Sequence, residues 1–204
     1  MKPFIQRSFI SPQECETLMK YDQHLYKTIK RSYSSHDNKN GKFYTLVGDP
    51  LTDAVGLVYK DRLESILKKK LSLSYSYLKR STRGCYMPWH KNRWECEYVV
   101  AIQCSWNEWP IYFLKDQDNP LIEGEQDNAL ELIAHQGDAV IFCGADSLHA
   151  RRPLKSLSST TLSLNYVEKD GYLDNMDNRE KYGDNYSTWS KPTLHGGEWK
   201  VDGL

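Results

Sequence analysis

Apolar residues recur at helical spacing in the first third of the chain and at strand spacing after it. Behind Ser11-Pro12-Gln13-Glu14, the positions Cys15, Leu18, Met19, Leu25, Tyr26 and Ile29 follow a helical period. Ser11 and Glu14 have the spacing of a capping box, in which each side chain satisfies a backbone N–H that the first turn leaves orphaned. Pro12 suits the first helical position because it has no N–H to satisfy. The pattern predicts a helix from Pro12 to Lys30. A polar stretch from Arg31 to Lys42, with Asn40-Gly41 inside it, reads as a loop or hairpin turn. Asp49-Pro50 opens a second predicted helix, with Val55, Val58, Ile66 and Leu67 toward the core and an end near Lys70.

At Leu71 the period changes to two. Leu71, Leu73, Tyr75 and Tyr77 alternate with Ser72, Ser74 and Ser76, which is strand patterning. Further short strands are expected at 82–89, 96–104, 110–115, 129–134, 138–143, 148–152 and 158–167. Turn-formers separate them, among them Trp109-Pro110, Gly124, Gly137-Asp138 and Gly144. Many short strands after two helices predict an α+β, mainly β domain: an antiparallel sandwich or barrel backed by helices. The chain divides into helical support over 1–70, a β core over 71–168 and an irregular tail over 169–204, within one domain spanning 1–204.

Composition narrows the function classes. Lys plus Arg equals Asp plus Glu at 27 each, so no general pull toward nucleic acid or an acidic membrane is expected. The five cysteines are scattered without a CxxC pair and read as reduced thiols of a cytoplasmic protein. No signal peptide and no apolar run of membrane-spanning length is visible.

The chemistry concentrates at His90-Lys91-Asn92 and His149. Two positions apart on an extended strand, His90 and Asn92 present their side chains on one face. A second His from a distant strand completes the spacing of a two-His-one-carboxylate metal triad, except that position 92 is an amide. An Asn oxygen can ligate a metal but brings no charge, so affinity is expected to fall. Glu95 or Glu97 could swing in as a substitute. Trp89, Trp94, Trp106 and Trp109 surround these positions in sequence; they read first as packing residues, second as a wall for a flat or apolar substrate.

The blocks YMPWHKNRWECEYVVAIQ, WPIYFL, GDAVIFCGADSLHARRPL and LSLNYVEKDG resemble the core of the 2-oxoglutarate/Fe(II)-dependent dioxygenases of the prolyl-4-hydroxylase-like type, over residues 71–170. The HxDR-x-x-CE variant of that family is matched by His90, Asn92, Arg93, Cys96 and Glu97 in all but the acid. The resemblance implies a double-stranded β-helix (jelly-roll, cupin-like) core buttressed by the two N-terminal helices. It implies His90, Asn92 and His149 as metal ligands and catalytic residues, and Fe(II) and 2-oxoglutarate as cofactors. The implied reaction is hydroxylation of a protein side chain or small molecule, with release of succinate and CO2. The family's basic anchor for the far carboxylate of 2-oxoglutarate falls here at Ser158, Ser159 and Thr160, none of them basic. Arg151, on the same strand face as His149, is the substitute, with Lys155 a weaker one; Tyr86 or Tyr112 would add a hydrogen bond. Asp146 is the nearest partner in sequence for His149. The alternative function is a non-catalytic jelly-roll binding module with a degenerate metal site.

Overall fold

Both helices begin at the caps the sequence supplies. Ser11 Oγ accepts from the Glu14 N–H at 3.2 Å, and the Glu14 carboxylate accepts from the Ser11 N–H at 2.7 Å. The computed structural model describes residues 1–28, 34–38, 41–115, 129–171 and 174. Within them α1 spans Pro12–Thr28, with Cys15 and Leu18 buried. Helix α2 spans Pro50–Leu67; Asp49 caps it by accepting from the N–H groups of Leu51 and Thr52, and Lys68 ends it in the left-handed region at φ 56°. Val58 departs from expectation and is 73% exposed. The buried stripe of α2 runs through Thr52, Asp53, Gly56 and Leu63, and two residues past Gly56 lies about 200° round the helix. Ile29, Lys30, the whole 116–128 connection and nearly all of the tail lie outside the described residues.

Eleven strands follow the order β1 (Phe4–Gln6), β2 (Ser34–Asn38), β3 (Gly41–Val47), β4 (Leu71–Thr82), β5 (Met87–His90), β6 (Tyr98–Gln103), β7 (Ile111–Leu114), β8 (Ala129–Leu132), β9 (Ala139–Phe142), β10 (His149–Arg151) and β11 (Ser158–Glu168). They form a seven-stranded sheet, β1-β9-β6-β11-β4-β3-β2, and a four-stranded sheet, β5-β10-β7-β8. From β4 onward the chain deals its strands between the two sheets as a double-stranded β-helix does. The fold class is therefore α+β, mainly β, with a jelly-roll core.

Three strand details differ from the sequence pattern. Strand β1 pairs with β9 at the sheet edge, and β2 and β3 form a hairpin with Asn38 opposite Gly41. The expected 82–89 strand is split: β4 continues to Thr82, and a turn with Gly84 at φ 85° precedes β5. Inside β4, Asn165 of β11 faces Tyr75 but Tyr166 faces Leu73. The extra residue, Ser74, is a β-bulge that exchanges the faces of the strand. Leu71 and Leu73 consequently pack in the layer below the helices, whereas Tyr75 and Tyr77 pack between the sheets.

The larger sheet is buried on both sides. Its outer face meets the helices through Leu18, Leu63, Leu78, Ile102 and Leu162. Its inner face meets the smaller sheet through Val99, Ala101, Phe113, Val140 and Phe142. Strands β6 and β9, buried at every position, read accordingly as unbroken apolar runs. On β11 the inner positions opposite Tyr75, Tyr77 and Lys79 are Asn165, Ser163 and Thr161. These small polar residues keep one end of the barrel interior hydrophilic. All five cysteines are free. No described helix is long and apolar enough to cross a membrane.

Candidate metal centre and its buried cations

Strands β5 and β10 pair antiparallel with His90 directly opposite His149. The two imidazole centroids lie 4.3 Å apart. Their register is set by neighbours that sequence alone does not connect: β10 also pairs with β7, placing His149 opposite Phe113. The His149 ring sits 4.8 Å from the Phe142 ring and 5.8 Å from the Phe113 ring, and the residue is 4% exposed.

Each imidazole is held at Nδ1 by a backbone carbonyl two residues earlier: Pro88 O for His90 and Ser147 O for His149, both at 2.8 Å. A carbonyl only accepts, so Nδ1 carries the proton and Nε2 keeps the free lone pair in both rings. Burial pulls the His90 pKa below the ordinary imidazole value. It pulls His149 well below, with repulsion from His90, Arg151 and Lys79 adding to it. Two neutral rings with matched tautomers are the ligand form of His. Asp146 is exposed and is not the partner of His149; the Ser147 carbonyl is.

Asn92 follows β5 and is pinned by its backbone, whose N–H donates to Gly144 O at 2.9 Å; the Gly144 N–H donates in turn to Cys96 O at 3.1 Å. A Cβ on Gly144 would stand 2.5 Å from Cys96 O, 2.6 Å from Val99 Cγ2 and 2.9 Å from Asn92 Nδ2, so the absent side chain there leaves room for the backbone turn and the amide together. The Asn92 side chain reaches the His90 ring. Two imidazole nitrogens and an amide oxygen fit a divalent cation, as a neutral donor set. Among the described residues no carboxylate or thiol joins the two His in a group of three. Glu97 does not swing in: its carboxylate accepts from the Glu168 N–H at 2.9 Å.

Arg151 lies on β10 opposite Met87 of β5, at 7% exposure. Its Nη1 donates to the Trp109 carbonyl, and its guanidinium lies 4.7 Å from the Trp109 ring centroid. Beside it is a residue the sequence pattern did not single out. Lys79, at 8% exposure, points between the sheets from β4, with Nζ 3.0 Å from Met87 Sδ and 5.6 Å from the same Trp109 ring. Among the described residues neither cation has an ion-pair partner. Burial, then repulsion from Arg151, pulls the Lys79 pKa down to about 7; burial lowers Arg151 to about 9. Taking a charge out of water costs several kcal/mol per ion when nothing offsets it. The pair is therefore a concentration of buried positive charge with no counter-charge among the described residues. The signal for Lys79 was present: it extends the Tyr75, Tyr77 alternation by one step.

The remaining candidates separate. Tyr86 lies half-buried in the turn before β5. Tyr112 is not in the cluster: its hydroxyl donates to Glu131 at 2.7 Å and its ring lies under Arg152. The reason is parity, since Ile111 and Phe113 take the inner positions of β7. Lys155 lies exposed in the segment after β10. Of the tryptophans, Trp109 is in the site at 5% exposure, while Trp94 and Trp106 are exposed at 62% and 78%.

Lys79→Met is expected to stabilise the ligand-free protein by about 1–4 kcal/mol, because an apolar side chain of similar size replaces an unpaired buried charge. The gain depends on pH. The folded-state pKa of Lys79 is near 7 against an ordinary 10.5. The wild-type penalty is therefore complete below pH 7 and fades as pH rises toward 10.5, where the folded state has released a proton the unfolded state still holds. Urea midpoints of the two proteins should diverge most at pH 6 and converge by pH 10.

No family model and no curated protein sequence matches this chain. Solved structures do. HygX from Streptomyces hygroscopicus, with nickel and 2-oxoglutarate bound, superposes with a TM-score of 0.60 at 13% identity, over 82% of this chain and 83% of that one. EctD from S. alaskensis gives 0.63 at 12%, over 81% and 72%. The viral collagen prolyl hydroxylase of Paramecium Bursaria Chlorella virus-1, as a 2-oxoglutarate complex, gives 0.57 at 14%, over 81% and 95%. The chain has the fold of the 2-oxoglutarate/Fe(II)-dependent oxygenases.

Proposed function

We propose that this protein is an Fe(II)/2-oxoglutarate-dependent dioxygenase that hydroxylates a protein side chain or a small molecule and releases succinate and CO2. The observation that carries the proposal is the pairing of His90 with His149, both Nδ1-capped, in the same barrel as two buried cations without counter-ions. His90, His149 and the Asn92 amide would hold the metal. Arg151 and Lys79 would hold the far carboxylate of the co-substrate, a guanidinium fork beside a point charge, with Tyr86 at the turn before β5 a further donor. Bound iron and 2-oxoglutarate supply the oxidising chemistry. The chain orients them, keeps both rings neutral and, through Phe113, Phe142 and Trp109, keeps water from the site. The free thiols fit a reducing, cytoplasmic setting.

Asn92 favours a second reading, a jelly-roll binding module whose metal site has lost its charge. Anaerobic titration with Fe(II), with and without 2-oxoglutarate, separates the two. A weak visible charge-transfer band that needs both components supports the oxygenase. No band and no retained iron would leave the binding module.

A further inference from the structure

The metal-ligand set and the buried cations stand in one site, and their charges are unequal. His90, His149 and Asn92 contribute none, while the buried Arg151 and, in its protonated form, Lys79 contribute positive charge close enough to act on both imidazoles. Arg151 is two residues from His149 on the same face of β10, and its β5 partner is Met87, whose sulfur touches Lys79 Nζ. An acid at position 92 would offset one of these charges, but the amide there does not. A divalent cation entering this site alone therefore meets like charge at short range in a poorly solvated interior, where Coulomb interactions are weakly screened. A dicarboxylate entering alone meets two cationic side chains that have no ion-pair partner among the described residues.

From this arrangement we infer that the site assembles in a fixed order, the organic dianion first on Lys79 and Arg151 and the divalent metal second, with metal binding conditional on the dianion. The inference rests on the oxygenase reading of the same site. It makes Asn92 part of a coupling device: the missing carboxylate at the metal is supplied by the co-substrate, so the protein does not retain metal without it. By linkage, the dianion must tighten the metal by the same factor as the metal tightens the dianion.

Calorimetry on the full chain tests this without turnover, using Co(II) as the metal and glutarate as the dianion. Glutarate has no keto oxygen and cannot chelate as a keto acid does. We expect glutarate to bind the metal-free protein, and saturating glutarate to tighten Co(II) by about tenfold or more. Lys79→Met is expected to tighten Co(II) alone several-fold and to shrink the coupling. The glutarate titration of the wild type stands whether or not that variant folds. Co(II) binding equally well with and without glutarate would overturn the ordered assembly and leave the metal-site reading intact. Glutarate binding with no Co(II) binding under any condition would overturn both and point to an anion-binding module.

Discussion

His149→Ala is expected to remove bound iron and iron-dependent succinate formation together. In the proposed site His149 would supply one of two imidazole ligands, and with a neutral amide as the third donor there would be no charged ligand to retain the metal. Loss of partners that merely orient a ligand costs about 10–100-fold in metal affinity or activity, so losing the ligand itself should exceed that. The side chain also packs between Phe113 and Phe142, so a modest loss of stability, about 1–3 kcal/mol, should accompany it. Metal analysis of wild type and variant after loading with Fe(II) and 2-oxoglutarate together, beside a thermal melt, distinguishes lost ligation from lost fold. Tyr112→Phe is the matched control, since that hydroxyl faces Glu131 outside the barrel. Full turnover by a folded His149→Ala protein would sink the triad.

Asn92→Asp is expected to act in the opposite direction, tightening metal by about 10–100-fold, or about 1.4–2.8 kcal/mol. The substitution is nearly isosteric, and the space against Gly144 that admits the amide admits a carboxylate equally. What changes is one unit of charge beside two imidazoles and two buried cations. Its attraction for a divalent ion is large in a poorly solvated interior and is reduced by the cost of burying the carboxylate. The variant should also retain metal without a dicarboxylate, because the offsetting charge is then built into the chain. Equilibrium dialysis of wild type and Asn92→Asp against Co(II) gives the comparison. Equal affinities would place Asn92 outside the ligand set.

The two effects show why the acid position carries so much weight. In this barrel the imidazoles are fixed by strand pairing and carbonyl caps, which a change at position 92 does not touch. Charge is the variable. The chain buries positive charge at Lys79 and Arg151 and has none at His90, His149 and Asn92, and both predictions follow from that asymmetry.

Much of this was written in the local sequence. The capping box at Ser11 and Glu14 and the Asp49-Pro50 start fix the helix origins because they act within four residues. Alternation marked most core strands, and the His90, Asn92 and His149 spacing marked the candidate ligands, because side-chain direction on a strand follows a period of two. Where the pattern failed, a local irregularity was responsible. Val58 fits a helical count but falls off the buried stripe, and Tyr112 adjoins the right residues with the wrong parity.

The tertiary structure decided the rest, for reasons of register and distance. Only the pairing of β5 with β10 brings His90 against His149, and only the β4 bulge at Ser74 sets which of its residues face the interior. That bulge puts Leu71 and Leu73 under the helices and Tyr75, Tyr77 and Lys79 inside the barrel. Lys79 then lies beside Arg151 although 72 positions separate them in sequence. The sequence by itself determined the fold class and the candidate metal ligands, since these depend on spacing along one strand or helix. The buried cation pair depends on a sheet register summed over many residues, which no local window contains.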